Sequence, residues 1–166
     1  MQALIPPIPV AVLEQELTPE RFVRVTNNGG KHLYIVNQHN APNVLREIGR
    51  LRELTFRDAG GGTGLDCDLD LFDTCEKCYE QLIAWNPETK EIMGGYRFIC
   101  CAAAGIDKNG VYELATAEIF NFSEKFIRDY FPYTIELGRS FVQPKYQPRP
   151  ENRQGLFTLD NLWDGL

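Results

Sequence analysis

Apolar and polar residues alternate over residues 21–25 and 32–36, and both stretches are rich in β-branched and aromatic side chains. Asn27, Asn28, Gly29 and Gly30 lie between them and supply the positive φ of a tight turn, so the pattern predicts a β-hairpin. The period then changes. Val44, Ile48, Leu51 and Thr55 recur at spacings of three and four with charged residues between, which predicts a helix over residues 42–58, capped by Asn40 or Asn43. Arg52 and Phe56, four apart, share a face of that helix.

Residues 59–72 lose all periodicity and are rich in glycine and aspartate, so they read as a long loop, a length usually tied to function or mobility. Residues 79–85 and 92–101 are strand-like and joined by a turn-forming stretch from Asn86 to Lys90, a second hairpin. Ser123 caps a predicted short helix over 123–130, and residues 133–142 form a strand in which Ile135 and Leu137 alternate with Glu136, placing that carboxylate opposite the apolar face. A proline-rich loop over 143–153 follows. From residue 154 a helical face of Leu156, Leu159, Leu162, Trp163 and Leu166 runs off the end without a cap, which reads as the N-terminal part of a longer protein. The expected class is α/β (α+β), a mixed, mostly antiparallel central sheet flanked by helices.

Composition narrows the options. At 166 residues the chain suits one compact domain. A net charge of −6 argues against broad electrostatic contact with nucleic acid. The charge is uneven, however: Asp66, Asp68, Asp70, Asp73, Glu76 and Glu80 crowd one segment, while Arg139, Lys145, Arg149 and Arg153 crowd another. No apolar run approaches the ~18 residues of a membrane span, and five cysteines make a poor disulfide framework. A cytoplasmic location with free thiols is expected.

Several motifs fail on inspection. Asp66, Asp68 and Asp70 imitate the start of a calcium loop, but Leu71 stands where glycine is needed and Lys77 where glutamate is needed. Cys75 and Cys78 have the spacing of half a zinc site or of a redox pair, and no second pair completes a zinc site. The run Gly60 to Gly64 lacks the lysine of a phosphate loop and is followed by acid. His32 and His39 are unpartnered in the sequence. No metal is expected.

The order Arg52, Phe56, glycine-rich acidic loop, Phe72, Asp73, Glu76, then Gly94, Gly95, Tyr96, Arg97, then Glu136, Leu137, Gly138, Arg139 resembles the GNAT-like acyltransferases that use acyl carrier protein. Among them it is similar to the hemolysin-like amino-acid N-acyltransferases of ornithine-lipid and glycine-lipid synthesis and, more distantly, to acyl-homoserine-lactone synthases. The resemblance spans residues 42–166, leaving 1–41 as an N-terminal extension carrying the first hairpin. It implies that Arg52, Phe56, Asp73, Glu76, Arg97 and Arg139 shape the amine-substrate site. The family's phosphate-cradling turn is degraded here to Arg153, Gln154, Gly155, which favours acyl carrier protein over CoA as donor.

Transfer of an acyl group to an amine needs a proton acceptor, for which Glu136 is the candidate. Oxyanion donors are expected from backbone N–H near Phe141 or Val142, at the point where the strand splays. One of Arg52, Arg97 and Arg139 suits the acceptor's carboxylate, because a guanidinium fork matches it. Lys145, Arg149, Arg153 and Gly155 complete the expected donor site, Lys145, Arg149 and Arg153 facing an acidic carrier protein. No tightly bound cofactor is expected; the donor is an acyl-carrier-protein phosphopantetheine thioester or acyl-CoA, and contact with a membrane arises only through a lipid product. Two other readings stay open: an acetyl-CoA-dependent N-acetyltransferase and a non-catalytic ligand-binding module.

Overall fold

A computed structural model describes residues 1–148 and 157–165. Helix α1 (Val10–Glu16) precedes strands β1 (Phe22–Val25) and β2 (His32–Val36), then helix α2 (Pro42–Asp58). A one-turn helix α3 (Leu71–Thr74) leads to β3 (Glu80–Asn86) and β4 (Glu91–Cys100). Short turns and helix α4 (Glu124–Asp129) connect to β5 (Ile135–Val142), and α5 (Thr158–Trp163) follows. The five strands form one sheet in chain order, and every pair is antiparallel among the described residues.

Both predicted hairpins form, with Gly29 and Gly30 at positive φ in the first. The hairpin strands β1 and β2 belong to the same sheet as β3 to β5.

The α2 cap is not the one expected. Ala41 occupies the cap position and Pro42 the first turn, without a side-chain cap from either asparagine. Glu16, at the end of α1, instead accepts from the Val44 N–H at 2.8 Å and the Asn43 N–H at 3.2 Å. A carboxylate at a helix N-terminus satisfies orphan donors and opposes the macrodipole. Here it comes from another element, which local sequence does not reveal.

Two apolar layers sandwich the sheet. Leu13, Val44, Ile48 and Leu51 pack with Ile83, Trp85, Ile92 and Phe141 on one face. Leu33, Leu82, Met93, Tyr96, Tyr146 and Leu162 fill the other, under α5. A third cluster of Tyr79, Ile99, Cys101, Leu114 and Phe131 closes one end.

The long loop is anchored at both sides. The Gln2 N–H donates to Gly64 O at 2.8 Å and the Ile5 N–H to Asp66 O at 3.1 Å. Glu53, fully buried on α2, accepts from the Thr63 hydroxyl at 2.6 Å, the Thr63 N–H at 2.9 Å and the Gly64 N–H at 2.8 Å. Burial pushes that carboxyl up, and these donors with Arg57 outweigh it and hold its pKa at about 2.

Strand β5 also departs from expectation. Ile135 and Leu137 are exposed, and Glu136 faces the more enclosed side. The reason is position: among the described residues β5 is an edge strand of the sheet, where an alternating pattern no longer marks the core. Likewise, Leu162 of α5 is buried while Leu159 and Trp163 are exposed, so that helix's apolar face is only partly covered. Leu156 and Leu166 lie outside the described residues.

Candidate active site

On the α2 face of the sheet three arginines and three aspartates converge. Arg52 projects from α2 and is fully buried. Its Nη1 donates to both oxygens of Asp73 at 3.1 and 3.0 Å, and its Nη2 donates to Gln81 Oε1. Gln81 returns a bond from Nε2 to Asp73 Oδ1 at 3.0 Å. Arg97, opposite Gln81 in the β3–β4 register, donates from Nη1 to Asp70 at 2.7 and 2.8 Å and to Asp73 at 3.2 Å. Its guanidinium also sits over the rings of Phe72 and Tyr79, 5.4 and 5.0 Å from their centroids.

The one-turn helix α3 builds the acidic half. Asp70 and Asp73 form a reciprocal capping box, so the same two carboxylates that fix the helix start also receive the arginines. Burial opposes the charged forms of Asp70 and Arg97, yet their pairing wins. Asp70 lies below the usual carboxylate range despite its burial because Arg97 holds it ionised, and Arg97 keeps its proton more firmly than usual through Asp70 and Asp73. Burial lowers Arg52 and raises Asp68.

From Arg97 the path continues to Glu136. The Tyr79 hydroxyl donates to Glu136 Oε1 at 2.6 Å and accepts from the Ala115 N–H at 3.0 Å. Burial and that donation push the Tyr79 phenol well above its ordinary range. The Thr116 N–H donates to the other Glu136 oxygen at 3.3 Å. Glu136 borders a cavity of about 260 Å³ lined also by Cys101, Thr116, Phe122, Phe126 and Thr134.

Three residues on, β5 breaks register. Gly95 faces Phe141 and Arg97 faces Gly138, leaving Arg139 and Ser140 opposite Tyr96 alone, a bulge with Arg139 at φ +51°. Gly94 lets the strands approach on the far side of it: an added Cβ would stand 2.4 Å from the Phe141 carbonyl oxygen. Arg139 reaches back toward the cluster, Nε 3.3 Å from Asp68 and Nη2 3.6 Å from Asp70, and its side chain keeps 38% of its exposure.

Four of the expected substrate residues, Arg52, Asp73, Arg97 and Arg139, therefore meet, and Glu136 joins them through Tyr79. Phe56 is half-buried against the core under α2. Glu76 does not join: it is exposed, and its carbonyl accepts from His39 Nε2 at 2.9 Å. The carboxylate paired with Asp73 is Asp70, three residues earlier rather than three later, because the α3 capping box points both side chains inward. Phe141 and Val142 stand in the paired ladder, Phe141 in the core, and the irregularity falls at Arg139 and Ser140 instead. Lys145 is not an open cation, since its Nζ bonds Glu91 at 2.6 Å. Arg149, Arg153 and Gly155 lie outside the described residues. Sequence reasoning missed Asp68, Asp70, Tyr79 and Gln81; the available signal was the polar Gln81 on the same face of β3 as Ile83 and Trp85. No group of residues suited to hold a metal occurs among the described residues.

A model of the acetyltransferase (GNAT) domain matches residues 51–154. The chain belongs to the acetyltransferase (GNAT) family. The whole ion cluster and Glu136 lie inside the matched GNAT segment. Over its full 166 residues this GNAT chain is 53% identical to the glycine N(alpha)-acyltransferase of Bacteroides thetaiotaomicron, of which it covers 49%. It is 49% identical to the protein of the same name in Phocaeicola vulgatus, of which it covers 51%. The chain thus spans about half the length of the curated relatives it matches. No solved structure matches it.

Proposed function

We propose that this chain carries the acceptor site of an amino-acid N-acyltransferase, with glycine as acceptor and a fatty acyl thioester as donor. The observation that carries the reading is Glu136, held by Tyr79 and Thr116 at a small cavity three residues before Arg139, the most exposed arginine of the cluster.

The division of labour follows from burial. Arg52 and Arg97 are spent on aspartates inside the protein, so the carboxylate of an amino acid is assigned to Arg139. Glu136 accepts a proton from the acceptor's ammonium, releasing a neutral nitrogen for attack. The new N–C bond forms at the thioester carbonyl, the C–S bond breaks, and the thiol leaves with a proton. Tyr79 is buried and acts on Glu136, not on substrate. The names of the two relatives support glycine.

The proposed donor is acyl carrier protein, with the product a lipid precursor, on the strength of the degraded phosphate turn at Arg153 to Gly155. Lys145 no longer supports it, being paired with Glu91. A second reading, acyl-CoA as donor, is favoured by the family model's description as an acetyltransferase domain. Incubating the chain with glycine and a long-chain acyl group on either carrier, followed by mass spectrometry, separates them. N-acylglycine from the carrier protein alone supports the first donor, product from CoA alone supports the second, and no product from either with a folded sample contradicts the function.

A further inference from the structure

We infer that Asp68 is a positioning residue for the acceptor site, holding the Arg139 guanidinium in the orientation that receives the amino acid's carboxylate. This rests on the assignment of Arg139 to that carboxylate.

Four of the cluster's six charges are bound by well-formed hydrogen bonds. Asp73 takes Arg52, Gln81 and Arg97, and Asp70 takes Arg97 and the Asp73 N–H. Asp68 is left over. It is 2% exposed, and its Oδ2 is buried without any hydrogen-bond partner. A carboxylate oxygen in that state is costly unless a cation compensates it. The nearest is Arg139 Nε, at 3.3 Å without hydrogen-bond alignment.

The arginine is unusual in its turn. Its backbone is at φ +51°, a conformation a non-glycine residue holds only when its surroundings fix it. Its contacts are ion pairs to Asp68 and Asp70 from Nε and Nη2, which hold one flank of the planar group. The Asp68 main chain is anchored by its N–H to Gly49 O on α2 at 3.0 Å, so the carboxylate springs from a backbone tied to that helix. Docking of a carboxylate on the fork of Arg139 draws the guanidinium into alignment, and Asp68 sets the direction in which that fork faces.

Nitrogen-15 spectra of the arginine Nε–H groups of the 166-residue chain, with Arg139 assigned through Arg139→Lys, test this with and without glycine. The expected result is a protected Arg139 signal that glycine shifts, lost in Asp68→Asn together with about a tenfold or greater weakening of glycine affinity, and partly restored in Asp68→Glu. A protected Arg139 signal and a glycine affinity within about twofold of wild type in folded Asp68→Asn would overturn the inference. Should Asp68→Asn not fold, the wild-type spectrum decides, because an Arg139 Nε–H exchanging as fast as that of exposed Arg46 rules out its being held. If instead the Arg139 signal is protected but glycine shifts nothing and no acylated product forms, the assignment to an amino-acid acceptor fails while the Asp68 contact stands.

Discussion

Glu136 and Arg52 make opposite demands on substitution. Glu136 is held from both oxygens yet borders a cavity, so on the proposed function its loss removes chemistry more than packing. Glu136→Gln keeps the shape, and acyl transfer is expected to fall at least about a hundredfold while the melting temperature falls by only a few degrees, one of the two held oxygens having become an amide NH2, measured by product formation and thermal denaturation. Arg52 is fully buried and compensates Asp73. Arg52→Ala leaves a carboxylate stranded beside Arg97, and urea denaturation is expected to show a loss of about 3–5 kcal/mol. The sequence pointed to both residues through the resemblance, but residue type and order did not distinguish Asp70 from Glu76. That choice is made by a capping box, visible only once α3 starts at Leu71.

The elements owe their positions to contacts reaching across the sequence. Glu16→Ala removes the acceptor at the start of α2, and a loss of about 1 kcal/mol is expected, a fall of a few degrees in melting temperature. Glu53 fixes the glycine-rich loop and has a folded pKa of about 2 against an ordinary 4.5. Because the folded value is the lower one, its stabilisation is present above pH 4.5 and is lost as pH falls toward about 2. Acid titration of stability should therefore be shallower in this range for Glu53→Gln, which starts less stable at neutral pH; parallel titration curves would contradict the role given to Glu53. Strands and α2 were legible because period and turn chemistry are local. The α2 cap, the tied loop and helix α1 were not, since each depends on partners tens of residues away or, for α1, on a proline-rich stretch with weak periodicity. The exposure of Ile135 and Leu137 escaped for a related reason: alternation fixes which residues share a face, not which face is covered.

Across the whole molecule the sheet divides labour between its faces. The face under α5 is apolar, whereas the face under α2 grades from an apolar core at Ile83 and Trp85, through the ion cluster at Gln81 and Arg97, to Tyr79 and Glu136. The bulge at Arg139 breaks the β4–β5 ladder beside that polar end. On the function proposed above, this polar end receives the small amine. The most direct test of that claim pairs wild type with Glu136→Gln in the presence of glycine and a long-chain acyl thioester, reading products by mass spectrometry. The account predicts N-acylglycine from wild type and essentially none from the variant. Equal product from both, or none from a folded wild type with either carrier, would contradict it.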